Sequence, residues 1–337
     1  MSVVCVTLNS MKHHNYKILM RQLVWIIAVA LSFAACGRKE NANTADIESQ
    51  TVSNENGDEL PMPAIPATLG SSSERSSYVV EHFWDAMDFG DTLRSHNQEF
   101  LERNFSNFIY LLPYAPTSSA EKAVALLMKK AGTDKSAFLI LAELAEKYLS
   151  EPNSPMRNED LFILFLKCQI DAEVLNESRR IRARSLLDVA LKNRPGMTAT
   201  DFAYIDNKNR HCTLHGTKSA DNMLLVFYDP ECEHCGEIIN SLASNEMLIE
   251  LQEKKCLTVL AIDTESDSEI WERTKHDMPC GWIVGHDSKR SINERMLYDL
   301  PAMPVLYLLD ADKTVILKDA APNTVLQRLS QQRANKK

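Results

Sequence analysis

Past the segment "KNRPG" the chain stops repeating its apolar residues at helical spacing and begins to alternate short apolar runs with amphipathic stretches. "DFAYID" and "HCTLHG" flank the polar turn "NKN" and read as a hairpin, and "MLLVFY" reads as a short buried strand. A helix is expected from about Cys232 to Lys254. After it come a strand at "CLTVLAID", a helix at "SEIWERTKH", a strand at "GWIVG" and a helix at "SINERML". "PVLYLL" and "KTVILK" make two further strands joined by "DADK", and "NTVLQRLSQQ" closes with a helix. The order βαβ followed by ββα calls for a mixed central sheet with helices on its faces, an α/β fold over residues 195–337.

Residues 74–194 have a different period. Val80, Phe83, Trp84 and Met87 fall at i, i+3, i+4 and i+7, and Leu101, Phe105, Phe108 and Leu112 repeat the pattern. Further helices are expected over Ala120–Lys130, Ser136–Leu149, Glu159–Ile170 and Glu177–Lys192. Pro152 and Pro155 break one, and Asn158 or Ser154 can cap the next. This is an all-α helical domain whose aromatics sit at core spacing. Arg179, Arg180, Arg182 and Arg184 read as the wet face of a helix more readily than as a phosphate site.

The N-terminus is a targeting segment. Lys12, His13, His14, Lys17 and Arg21 form a basic region, Leu23 to Ala35 is apolar, and Ala34 and Ala35 precede Cys36. "LSFAAC" resembles a bacterial lipobox, with Phe33 where Leu is usual, so residues 1–36 read as a signal peptide and Cys36 as the lipidated first residue of the mature chain. Residues 37–73 are polar, carry Pro61, Pro63 and Pro66, and read as a tether spanning roughly 30 Å. The expected setting is a bacterial cell envelope, periplasm-facing, and the lack of Asp after Cys36 points to the outer membrane. A net charge of −9 gives no general field for nucleic acid, and none is expected as a partner.

Export changes how cysteines are read. Of eight, Cys5 and Cys36 fall in the leader, leaving Cys168, Cys212, Cys232, Cys235, Cys256 and Cys280. A body this size can rely on its core rather than on disulfides. Cys168, in "LFILFLKCQI", reads as a buried inert thiol; Cys212, Cys256 and Cys280 read the same way, with an accessory Cys256–Cys280 disulfide as the alternative. Cys232 and Cys235 are different, because they open a helix directly after a buried strand. Unpaired backbone N–H groups and the positive end of the helix dipole favour thiolate there, so Cys232 is the expected nucleophile and Cys235, one turn further in, the resolving thiol. His234 when protonated would support the thiolate, and Glu231 and Glu233 would oppose it.

"FYDPECEHC" together with "PAMPVLYLLDADKTVI" resembles the thioredoxin fold. The leading hairpin, the interposed helix and the lipoprotein leader resemble membrane-tethered thiol:disulfide oxidoreductases of the TlpA/ResA type. "HFWDAMDFGD", "KYLSEPNSPMRNED" and "KNRPGMTATDFAY" resemble a helical domain of unknown function that precedes this fold in lipoproteins of Gram-negative gut and oral anaerobes. The resemblance implies that Pro304 follows a cis peptide bond facing the cysteines, and that Met303 offers its backbone to a substrate peptide. It also implies exchange with disulfide-containing envelope proteins, an upstream membrane thiol reductant, and no cofactor or metal. One departure stands out: the buried carboxylate such proteins carry six residues before the first cysteine is Val226 here. Proton transfer then falls to Glu231, Asp229 or water.

Other readings stay open on sequence alone. Cys232, Cys235 and His234 form half a metal site, to which "RHC" at 210–212 could add only through the fold. A thiol peroxidase would want a Thr that "VFYDPEC" lacks. A lipid-anchored binding or scaffold protein with a non-catalytic thioredoxin fold is the remaining alternative.

Overall fold

The computed structural model describes residues 59–265 and 267–335. The leader, Cys36 and most of the expected tether lie outside them.

The helical region opens with α1 (Ser72–His82), where Ser71 and Glu74 form a reciprocal capping box. α2 (Thr92–Ser95), α3 (Gln98–Leu111), α4 (Thr117–Ala131), α5 (Lys135–Leu149), α6 (Glu159–Asp171) and α7 (Glu177–Ala190) follow. Asn97, Asp134, Asn158 and Asn176 each start a helix by accepting a backbone N–H on the side-chain oxygen, so Asn158 and not Ser154 is the cap of α6. Phe83, Trp84 and Met87 lie beyond the end of α1 and are buried all the same; a turn carries them into the core with Phe105, Phe108 and Phe165. Packed chain also begins earlier than the expected tether end. Leu60 is buried, and its N–H donates to Asn104 Oδ1 at 2.8 Å.

The α/β region is a seven-stranded mixed sheet in the order β2-β1-β5-β4-β3-β6-β7. Its strands are β1 (Ala203–Asp206), β2 (His211–Thr213), β3 (Asn222–Tyr228), β4 (Leu257–Asp263), β5 (Ile283–His286), β6 (Val305–Asp310) and β7 (Val315–Leu317). β3, β4 and β5 run parallel, and β1, β2, β6 and β7 add antiparallel neighbours. Alternation along β3 divides the core in two. Leu224, Val226 and Tyr228 face α8 (Glu233–Ala243), α10 (Ser268–Thr274) and α12 (Pro322–Asn335), whereas Met223, Leu225 and Phe227 face an aromatic cluster with Phe202, Tyr298 and Tyr307.

Two expected helices come out shorter. The single helix from Cys232 to Lys254 is two, α8 and α9 (Glu246–Glu253), because Asn245 caps α9 and the Ser244 hydroxyl bonds back to Asn240 O at 2.8 Å. α11 (Ser291–Glu294) is a single turn. No described helix is long and apolar enough to cross a membrane.

Helical and α/β regions lie within one compact unit. Asn193, in the left-handed region at φ 52°, donates from Nδ2 to Leu297 O and accepts Thr200 N–H on Oδ1, each at 2.8 Å. Arg157 pairs with Asp319, and Gly196 N–H donates to Val315 O at 2.8 Å. The Arg179–Arg184 row is taken up by ion pairs: Arg180 and Arg184 with Glu177, Arg179 with Glu143, and Arg182 in a two-pronged pair with Glu146.

Candidate active site at the Cys232 turn

β3 ends at Tyr228 and the chain turns through Asp229 and Pro230 into α8. Asp229 shapes that turn: its Oδ1 accepts Glu231 N–H at 2.9 Å and its carbonyl accepts Cys232 N–H at 3.2 Å. Cys232 is the N-cap of α8, and its Sγ accepts Cys235 N–H at 3.3 Å. A sulfur placed there meets the unpaired N–H groups and positive dipole end of the helix, which favour negative charge on it. The two thiols differ in surroundings. Cys232 is half-buried and Cys235 is buried; burial first, and then the Cys232 sulfur beside it, push the Cys235 thiol up to about 12.

The charged neighbours point outward. His234 and Glu233 are exposed, and His234 Nδ1 lies 3.5 Å from Glu237 Oε2. Glu231 pairs with Arg273 of α10 at 3.3 Å, which offsets its charge near Cys232. The Met303–Pro304 peptide bond is cis. Phe227 pairs with Val305 at the end of the β3–β6 ladder, so the cis bond lies just beyond it, and Met303 packs against the cluster that holds Cys232 and Cys235. Val226 is fully buried under α8, so the place below the motif is apolar.

The other cysteines stand apart. All six among the described residues are free thiols. Cys280 is exposed and not buried, because its strand starts only at Ile283 after a turn through Gly281 at φ 86°. Cys212 and Cys256 are half-buried. Cys168 is half-buried against the helical core, where burial and the nearby Asp171 push its thiol up to about 11. "RHC" cannot complete a metal site with Cys232. Three strands separate β2 from β3, a distance of about 19 Å at ordinary strand spacing. No cluster of three or more potential metal ligands occurs among the described residues.

Three residues that the sequence reading does not single out end neighbouring strands on the Cys235 face. Tyr228 pairs with Asp263 across β3 and β4, and Asp263 pairs with His286 across β4 and β5. The signal in the sequence is three apolar runs, each closing on a polar residue.

The geometry agrees with what the chain is similar to. A family model described as a domain of unknown function, DUF5106, matches residues 35–193. The crystal structure of a thioredoxin-like protein from Bacteroides caccae matches at 35% identity and a TM-score of 0.75, covering 80% of this chain and 98% of that one. A conserved protein of unknown function from Bacteroides fragilis matches at 36% identity, covering 40% of this chain and 98% of that one with a TM-score of 0.39. A domain of a possible thiol-disulfide isomerase from Cytophaga hutchinsonii matches at 26% identity, covering 43% and 97% with a TM-score of 0.37. No curated protein matches. On the strength of the Bacteroides caccae match, which spans both regions, this chain belongs to the thioredoxin-like proteins, with an all-α DUF5106 region ahead of a fold of the thiol-disulfide oxidoreductase type.

Proposed function

We propose that Cys232 and Cys235 form a dithiol–disulfide couple that exchanges disulfides with partner proteins. The observation that carries this is the asymmetry of the pair: Cys232 sits at a helix N-terminus with access to solvent, and Cys235 is buried one turn in with its proton held. Cys232 thiolate attacks a partner disulfide and forms a mixed disulfide, releasing one partner sulfur as thiolate. Cys235 then attacks Cys232, closing a Cys232–Cys235 disulfide and releasing the other. An upstream membrane thiol reductant restores the dithiol.

The leader sequence supports a setting at the cell envelope, with Cys36 lipidated, the body facing the periplasm from the outer membrane, and disulfide-bearing envelope proteins as substrates. Met303, beside the cysteines, offers its backbone to an extended substrate segment.

The test uses a soluble form without its leader, carrying Cys235→Ala and expressed in a periplasm. Mixed disulfides at Cys232 are expected on non-reducing gels and by mass spectrometry, and wild type should reduce insulin. No adduct and no insulin reduction would favour a scaffold in which the pair is idle.

A further inference from the structure

Cys235 must lose its proton before it can attack Cys232, and the one carboxylate whose charge bears on it, Asp229, sits in the turn ahead of α8. Val226 below it is apolar, Asp229 has its Oδ1 engaged by Glu231 N–H, and Glu231 faces solvent beside Arg273. On the same face of the sheet lies a buried polar row, Tyr228, Asp263 and His286, which stand side by side across three parallel strands at their carboxyl ends and are 2%, 0% and 3% exposed. Tyr228 and Cys235 share one packed cluster with Trp271 of α10. Trp271 stacks on the His286 ring at 5.2 Å and 16°, closing the row from water.

Two members of this row are not satisfied as a structural network would be. The Tyr228 hydroxyl is buried without a partner, and His286 Nδ1 lies 3.5 Å from Asp263 Oδ2 without a hydrogen bond between them. Asp263 accepts Glu265 N–H at 3.1 Å. Burying such groups incompletely paired is unfavourable for stability alone, and a site that must pass protons supplies a reason for it.

We infer that the Tyr228–Asp263–His286 row takes up the proton that Cys235 releases when it resolves the mixed disulfide. The inference rests on the dithiol reading above. The Tyr228 hydroxyl takes the proton from the Cys235 sulfur as it gives its own to the Asp263–His286 pair, where the imidazole holds it and the carboxylate balances the imidazolium; the hydroxyl is left donating a hydrogen bond to the Cys235 thiolate. Cys235 Sγ then bonds to Cys232 Sγ. The bond from Cys232 to the partner sulfur breaks, its electron pair leaves with that sulfur, and the partner thiolate takes a proton from water. Burial first, and then Asp263, Asp277 from the turn after α10 and Cys235, push the Tyr228 hydroxyl up, so it keeps its proton. Lys275 at the end of α10 is paired with Glu272, Asp206 of the adjoining β1 with Arg210, and Asp287 accepts from Ser291 and Ile292, so none of these is a competing acceptor. Tyr228 acts on the Cys235 sulfur directly, and Asp263 and His286 act through Tyr228.

The experiment is stopped-flow reaction of the fully reduced, leaderless protein, in which Cys168, Cys212, Cys256 and Cys280 are replaced by serine so that only Cys232 and Cys235 react, with one equivalent of dithiobis(2-nitrobenzoate), following released thionitrobenzoate. The first release reports attack by Cys232, and the second reports resolution by Cys235. Asp263→Asn and His286→Gln should each slow the second release by about tenfold or more near neutral pH and leave the first within about twofold. The deficit should shrink as alkaline pH lets hydroxide take the proton, a pH profile that a purely structural role would not produce. If Asp263→Asn fails to fold, His286→Gln and Tyr228→Phe carry the comparison. Unchanged second release with a normal first overturns the proton row alone, and absence of the first release in the protein retaining only Cys232 and Cys235 overturns the dithiol reading and the row with it.

Discussion

Lys318 Nζ lies 2.7 Å from Glu159 Oε1 and also donates to the carbonyls of Ala190 and Lys192 at 2.9 and 3.0 Å, joining the end of β7 to two helices of the DUF5106 region. The lysine side chain is 6% exposed, so removing it strands a carboxylate and two carbonyls at a buried junction. Lys318→Met should lower unfolding stability by about 3 kcal/mol in urea titration. Burial already raises the Glu159 carboxyl, against the pull of Lys318. A carboxyl whose folded value is raised destabilises once pH passes its unfolded value, so the deficit of Lys318→Met should grow from pH 4 to pH 7.

Asp206 closes the β1–β2 turn. Its carboxylate accepts N–H groups of Lys208 and Arg210 at 2.9 and 2.8 Å and Arg210 Nε at 2.7 Å. Burial would raise this carboxyl, but those hydrogen bonds outweigh it and hold it below the usual range. Asp206→Asn should cost about 2 kcal/mol at neutral pH by thermal or urea unfolding. A depressed carboxyl contributes stability above its unfolded value, so the gap between wild type and variant should close as pH falls through the lowered value.

Val226→Asp tests whether the apolar place beneath the cysteines accepts a charge. Val226 is fully buried, and a lone carboxylate there should cost roughly 3 kcal/mol or more. The penalty should be largest well above pH 4, where the unfolded carboxylate is ionised, and a urea series across pH measures it.

Gly285 is held by close approach. A Cβ on it would stand 2.2 Å from a Tyr204 ring carbon and 2.9 Å from Ile262 Cδ1. Gly285→Ala should therefore disturb the β1–β5–β4 join and cost about 3 kcal/mol or prevent folding, read from soluble yield and circular dichroism.

Periodicity made most elements legible, because helices and strands bury their apolar residues at different intervals. The thiol pair was legible for a local reason, the junction of a strand with a helix. Asn245 was less so: within "NSLASNEM" it fits a helix interior as well as the cap it is, and only the bend after Ser244 decides. Phe83, Trp84 and Met87 keep helical spacing across a turn, since the core they fill is shared with α3 and α4. The Tyr228–Asp263–His286 row was hidden because it depends on register between strands far apart in sequence, which parallel pairing sets and local pattern does not.

The backbone ties at Gly196 extend further along the same strand: Val315 N–H donates to Met197 O and Ala199 N–H to Lys313 O, at 2.8 and 2.9 Å. The segment leaving the helices thus occupies the outer rim of β7, where an unpaired strand would otherwise recruit a second molecule. On the opposite rim β2 is only three residues long, too short to template much self-association. Proteolysis between Asn193 and Thr200 would do more than sever the helical region from the sheet. It would uncover a sticky rim, and aggregation would be the first symptom.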